Sequence, residues 1–155
     1  MKVLVTGANG YIGQRLILSL LAQGHQVVCL VRDTSRFDKS KFLKSADSIF
    51  VIQGDLLDGK SLAKFPEDVE VAFYLVHSMS SKNRKDFKDM EAECAQNFVQ
   101  ACTETKIKQV IYLSGISNDE VLSKHLSSRK NVEDILRQGQ FHLTVLRAAI
   151  IIGSG

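Results

Sequence analysis

A doubly wound α/β fold, with a parallel sheet in the strand order 3-2-1-4-5-6, is predicted by three observations on this sequence. Short apolar runs at residues 2–6, 26–31, 48–53, 69–76, 109–113 and 141–146 alternate with helical patterns, and the right-handed crossover rule orders such an alternation as a parallel sheet. Three glycines, Gly7, Gly10 and Gly13, sit where the first run gives way to the first helical pattern. No internal repeat, low-complexity tract or linker breaks the alternation, so the 155 residues read as one domain large enough to bury a core.

The first run, residues 2–6, is β-rich and ends at Gly7. From Ile12 the period changes: Ile12, Leu16, Leu20 and Leu21 share one helical face, with Ile17 beside it. Strand, glycine turn and helix together are the layout of a dinucleotide-binding βα turn. Gly7 permits the sharp turn, Gly10 lets backbone approach a pyrophosphate, and Gly13 lets the helix pack closely on its strand. Asn9, Tyr11 and Ile12 complete the candidate cofactor site, with the first helical N–H groups near Tyr11 and Ile12 and the positive end of the helix dipole behind them. Gly24 reads as the helix C-cap.

Residues 26–31 (QVVCLV) are nearly all apolar, which suits a central strand covered on both faces. Arg32-Asp33-Thr34-Ser35-Arg36 follows, where the second strand of such a unit meets an adenosine ribose. An acidic residue there favours NAD, and an arginine accommodates the 2′-phosphate of NADP. Arg32 comes first, and Arg36 can reach back to the same phosphate with charge-assisted bonds. NADP(H) is therefore the expected cofactor and NAD(H) the alternative, against the plain reading of a solvated strand end.

Residues 37–46 read as a short helix or loop, and 48–53 as the third strand. Asp55, just beyond it, either accepts from an adenine amino group while Leu56 packs on the ring, or serves as a turn or N-cap carboxylate. A short helix at 58–65 is stopped by Pro66. The fourth strand, 69–76, delivers His77-Ser78-Met79-Ser80 to the topological switch point. His77 there either faces a nicotinamide or substrate, or is a structural hydrogen-bonding group.

A long helix spans 83–105, with Phe87, Met90, Cys94, Asn97, Phe98 and Ala101 along one side. Asn97 is the unusual polar member, and a buried amide there has to be satisfied locally. The fifth strand at 109–113 ends at Ser114-Gly115. A helical stretch at 122–137 is closed by Gly139, and the sixth strand takes 141–146.

Composition bounds the partners. A net charge of +3, carried by scattered basic residues, argues against nucleic acid, and the Lys82–Lys88 region reads as a solvated helix start. Cys29, Cys94 and Cys102 lack metal-ligand spacing, so no metal is expected and buried thiols in a reducing compartment are. Met1-Lys2 runs straight into a strand without a signal peptide, and no apolar run reaches membrane-spanning length. The expectation is a cytoplasmic protein with no membrane partner.

The segments Thr6-Gly-Ala-Asn-Gly-Tyr-Ile-Gly13, Leu30-Val-Arg-Asp33, Gly54-Asp-Leu56, Tyr74-Leu-Val-His-Ser78, Val110-Ile-Tyr-Leu-Ser114 and Leu146-Arg147 occur in this order across nearly the whole chain. In that set the chain resembles the atypical and extended short-chain dehydrogenase/reductases, particularly the NAD(P)H-binding, NmrA-like and epimerase-like branch. The resemblance implies a Rossmann fold, a bound nicotinamide cofactor, and a smaller carboxyl-terminal substrate lobe beyond position 155. The piece at hand then reads as a Rossmann domain, residues 1–155, truncated before that lobe.

Chemistry in the family uses a serine and a Tyr-x-x-x-Lys pair, whose four-residue spacing puts both side chains on one helical face. In that pair the lysine lowers the tyrosine's pKa for proton transfer. Here Ser114 lies near the serine position, His125 stands in place of the tyrosine and Arg129 in place of the lysine, with Val132-Glu133 following as the pattern requires. Arg129 could hold a ribose hydroxyl or phosphate but stays protonated, and His125 is a shorter titratable ring. Two functions follow from the resemblance. One is an NADP(H)-dependent oxidoreductase, or an epimerase acting on a nucleoside-diphosphate sugar, with an unidentified small-molecule substrate. The alternative is a non-catalytic NADP(H)-sensing module that contacts a protein partner.

Overall fold

A computed structural model describes residues 1–77, 86–116, 124–149 and 151–152. In chain order the elements are β1 (Lys2–Thr6), α1 (Tyr11–Ala22), β2 (Gln26–Val31), 3-10 segments at Thr34–Arg36 and Lys39–Ser48, and β3 (Ile49–Gln53). A further 3-10 segment at Gly59–Lys64 precedes β4 (Val71–Tyr74), α2 (Asp86–Cys102), β5 (Gln109–Gly115), α3 (Lys124–Leu136) and β6 (His142–Ala148). The six strands form one sheet in the order β3-β2-β1-β4-β5-β6, and every neighbouring pair is parallel. The predicted fold class and strand order are both observed.

The continuous apolar runs are explained by two cores, one on each face of the sheet. Leu4, Val28, Leu30, Ala72, Tyr74, Val110 and Tyr112 pack against Cys94 and Phe98 of α2 and Val132 and Leu136 of α3. Their sequence neighbours Val3, Val5, Val27, Cys29 and Val31 point the other way, against Ile17 and Leu20 of α1 and Phe37 and Phe42 of the stretch after β2. Successive strand residues alternate faces, so a strand covered on both sides must be apolar throughout.

Several boundaries differ from the sequence reading, each for a local reason. The fourth strand is shorter than 69–76, because the Leu75 N–H is taken by Thr6 Oγ1 at 3.1 Å instead of a strand partner. The fifth and sixth strands run on to Gly115 and Ala148, which stay in register with each other. Where 37–46 reads as a short helix or loop and 58–65 as a short helix, the structure has 3-10 turns at Lys39–Ser48 and Gly59–Lys64, initiated by Asp38 accepting from Ser40 N–H and Asp58 from Lys60 N–H. Ile17, not Ile12, centres the buried face of α1. Gly24 sits one residue past the C-cap Gln23 at φ +78°. There Gly24 N–H donates to Leu21 O and His25 N–H to Leu20 O, a Schellman ending.

Asn97 is satisfied as its burial required: Nδ2 donates to Leu56 O at 2.8 Å and so joins α2 to the loop after β3. At the far edge Glu133, buried on α3, accepts both of its contacts with Arg147 of β6 at 2.9 Å and a third from Arg137 at 2.6 Å. Ser78-Met79-Ser80, the predicted helix starts at 83 and 122, and residues 153–155 lie outside the described residues.

Candidate functional site

A cavity of about 610 Å³ opens at the carboxyl ends of β1 to β4. Each of these strands contributes the residues just past its end: Gly7 to Gly10 after β1, Arg32, Asp33 and Arg36 after β2, Gly54 to Leu57 after β3, and Leu75 to His77 after β4. The volume falls in the range of small-molecule and cofactor sites. Of the residues picked from the sequence for cofactor contact, Gly7, Asn9, Gly10, Arg32, Arg36, Asp55, Leu56 and His77 line this one space. Tyr11, Ile12 and Gly13 form the first turn of α1 immediately behind it.

The glycine turn works through clearances. Gly7 has φ +69°, and a Cβ on it would meet Leu75 O at 2.9 Å. A Cβ on Gly13 would come within 2.3 Å of Gly7 O, so any side chain there forces α1 away from β1. Gly10 is the N-cap of α1 and has no side chain to cap the helix, while the first turn holds no acidic residue. The leading N–H groups of α1 are therefore left for an anion at the cavity edge. This turn, with glycine at 7 and 10 and no side-chain cap on the helix, fits a dinucleotide pyrophosphate.

Beyond β2, Asp33 is engaged locally. Its Oδ1 accepts from Ser35 N–H at 2.9 Å and Ser35 Oγ at 2.6 Å, and these bonds hold its carboxyl below the usual carboxylate range. Arg32 and Arg36 flank it on the cavity wall with Lys41, whose Nζ donates to Gln14 Oε1 of α1 at 3.0 Å. Lys41 and Gln14 were missed in the sequence, where residues 37–46 carried no motif. Asp55 accepts from Leu57 N–H at 3.0 Å through Oδ1, and its own N–H donates to Ser61 Oγ at 2.8 Å. The turn role weighed for Asp55 is thus present in the same residue that lines the cavity.

At the β4 end, His77 Nδ1 lies 2.5 Å from Glu91 Oε1 of α2. Glu91 is 5% exposed, and its other oxygen accepts from Ser128 Oγ of α3, a fully buried hydroxyl. Neither Glu91 nor Ser128 was picked from the sequence. The signal was there: Glu91 falls four residues after Phe87 and three before Cys94, on the apolar stripe, where an acid has to be paired.

Ser114, His125 and Arg129 do not line the large cavity. Ser114 is buried and opens onto a smaller space of about 270 Å³ with Gly115, Lys130 and Arg147. Arg129 directs Nη1 to Leu113 O at 3.1 Å, and its backbone carbonyl accepts from Tyr112 O–H. His125 is exposed, with its ring edge-on to Phe87 at 5.6 Å; Phe87 in turn meets His77 at 5.8 Å.

Burial pushes all three thiols up to about 12, Cys94 on the cavity wall included. Tyr112 is also raised to about 12, mainly by burial. No group of acidic, histidine or cysteine side chains suited to a metal occurs among the described residues. No helix among them is long and apolar enough to cross a membrane.

A family profile described as NAD(P)H-binding matches residues 7–152. Photosystem II assembly factor Ycf39 of Synechocystis is 27% identical over 150 residues, covering 96% of this chain and 44% of the relative. Among solved structures, the yeast methylglyoxal/isovaleraldehyde reductase Gre2 complexed with NADPH superposes with a TM-score of 0.80 at 14% identity, covering 95% of this chain and 57% of that one. UDP-glucuronic acid 4-epimerase from Bacillus cereus in complex with NAD gives a TM-score of 0.74 at 22% identity, covering 95% and 55%. The chain spans about half the length of these relatives.

Proposed function

The chain belongs to the NAD(P)H-binding family, and from that premise we propose that it holds NADP(H) in the cavity over β1 to β4 as the cofactor-binding part of an oxidoreductase or epimerase-like enzyme. One observation carries the cofactor preference. The only acidic side chain between Arg32 and Arg36 commits its Oδ1 to Ser35, and two guanidinium groups stand beside it on the cavity wall to meet a ribose phosphate.

In this reading Gly7, Asn9, Gly10, Tyr11, Ile12 and Gly13 seat the pyrophosphate on the start of α1. Asp55 and Leu56 receive the adenine, and His77 stands at the opposite end, past β4. A bound nicotinamide supplies or accepts hydride; the chain binds and orients it and excludes water. The substrate is a small molecule completed by a carboxyl-terminal lobe.

Calorimetric titration tests the preference. NADPH binds at least tenfold more tightly than NADH, and replacing Arg32 and Arg36 together by alanine removes about 2 kcal/mol from NADPH binding, the range of a hydrogen bond to a charged group, while sparing NADH. Equal affinities in the unaltered chain contradict the assignment.

A second reading, a non-catalytic NADP(H) sensor that contacts a protein partner, is favoured by the engagement of Arg129 with Leu113 O and by the exposure of His125 outside the cavity. The relative bearing the name of an assembly factor agrees with it. Turnover of NADPH by the full-length protein with a panel of carbonyl acceptors separates the two. A fall on His125→Ala assigns His125 to catalysis, and unchanged turnover points to the sensor or to a different acid.

A further inference from the structure

The cavity brings one ionisable ring to the end opposite Arg32 and Arg36, and that ring is held by a carboxylate inside the protein. An ionised Glu91 has only acceptor sites, so with it the 2.5 Å contact assigns the Nδ1 proton to His77. The partner cannot swing away. Glu91 is buried on α2, and its second oxygen is fixed by Ser128 of α3. Phe87 closes the ring's edge. With Nδ1 assigned, the nitrogen that remains is Nε2, on a residue that lines the cavity.

We propose that His77 is the proton-transferring residue of this site, with Glu91 as its positioning residue and Ser128 as the group that holds Glu91 in place. The proposal rests on the cofactor reading above. It supplies an acid and base where the chain has histidine and arginine in place of the family's tyrosine and lysine.

In the reducing direction a bound reduced dinucleotide would supply hydride to the carbonyl carbon of an acceptor, and Nε2 of the His77 ring would give its proton to the carbonyl oxygen. The C=O π bond breaks, and C–H and O–H bonds form. The carbonyl would be reduced by the two electrons of that hydride, and His77 would regain a proton from water. Glu91 keeps the ring in one tautomer and one orientation, the usual work of a carboxylate behind a histidine.

The surrounding groups define the controls. On α2 the ring faces Glu91, with Cys94 nearby; on the strands, the Tyr74 and Tyr112 hydroxyls feel the same carboxylate; on α3, His125 lies across Phe87. Arg32 and Asp55 act on Cys94 from the cavity side. Burial keeps Cys94 and Tyr112 neutral until about pH 12, and raises Tyr74 as well. His125 is therefore the competing ring to exclude.

The experiment has two parts and needs no substrate. Nitrogen-15 NMR of the imidazoles in the cofactor-free chain is expected to show His77 in the Nδ1–H tautomer, and Glu91→Gln to release it into a mixture. An Nε2–H tautomer in the unaltered chain overturns the proposal.

Titrations with NADP+ and NADPH from pH 8 to 5.5 form the second part. A positive charge gained at the β4 end of the cavity disfavours the cationic nicotinamide ring, so the preference for NADPH is expected to rise about threefold as pH falls, the size expected of one exposed charge pair. His77→Gln, or His77→Asn if the first does not fold, flattens this slope. A flat slope in the unaltered chain, or one removed by His125→Asn and kept by His77→Gln, overturns the proposal. Failure to bind either cofactor at any pH overturns the cofactor reading itself and this proposal with it. Binding without a slope overturns this proposal alone.

Discussion

At the β1–β2 end of the cavity the chain presents backbone: a glycine at φ +69°, a helix start without a side-chain cap, and a Gly13 position too close to Gly7 O for any Cβ. At the β4–α3 end it presents side chains, with His77, Glu91 and Ser128 joined from three elements across 51 residues of sequence (128 minus 77). The first end depends on what is missing from a dozen consecutive residues. The second depends on which distant residues the fold brings within hydrogen-bond reach. A backbone site tolerates no added atom, whereas a side-chain site tolerates no lost partner.

Breaking the first end has the largest effect. Gly13→Ala places a methyl 2.3 Å from Gly7 O, with Ala8 Cα at 3.0 Å; this backbone cannot yield as a side chain would. The expected cost is about 3 kcal/mol of stability, at the upper range for overpacking, with loss of dinucleotide binding, read by urea unfolding and calorimetry. A cost below about 1 kcal/mol would mean that α1 and β1 slide apart readily, and the close-packing account of this turn would fail.

The second end yields less. Glu91→Leu keeps the volume but leaves the Ser128 hydroxyl buried without this acceptor and releases His77 Nδ1. About 2 kcal/mol is expected, the penalty for stranding a buried polar group, measured by the urea midpoint. Adding Ser128→Ala should restore part of it, because the stranded donor is then gone; no recovery would show that the Glu91–Ser128 contact carries little energy.

The smallest effect at neutral pH concerns the cores behind both ends. Burial raises the folded thiols of Cys29, Cys94 and Cys102 from 9.0 to about 12, so the unfolded chain releases these protons first. Stability is complete below pH 9 and declines as pH rises toward 12. Urea midpoints at pH 8 and 10 measure the slope. Replacing all three cysteines by alanine removes their share, while Tyr112 and Tyr74 keep a part of their own.

Much of this architecture was legible in the sequence. The β1 and β2 bounds and the six-strand order follow from apolar runs and crossover handedness, because a strand buried on both faces has no other way to be written. Strand β4 was overextended because Leu75 and Val76 are apolar and nothing local says that Thr6, far upstream, takes the Leu75 N–H. Residues 39–48 form 3-10 turns rather than an α-helix because Asp38 folds back on Ser40, a competition between side chain and backbone that apolar periodicity does not record.

The candidate site divides in the same way. Gly7, Gly10, Gly13, Arg32 and Arg36 were visible because each acts next to its neighbours in the chain. Glu91 sat in plain view on the apolar stripe of α2, yet an acid at helical spacing names no partner by itself.

The sequence alone determined the glycine turn, the alternation that forces a parallel sheet, and the two arginines that close β2. Each rests on local sterics, local charge or strand periodicity. Only the tertiary structure decided that Asp33 turns back on Ser35, that Arg129 serves the end of β5, and that His77, Glu91 and Ser128 meet. Those outcomes depend on distances between elements, which are set when the two faces of the sheet are buried.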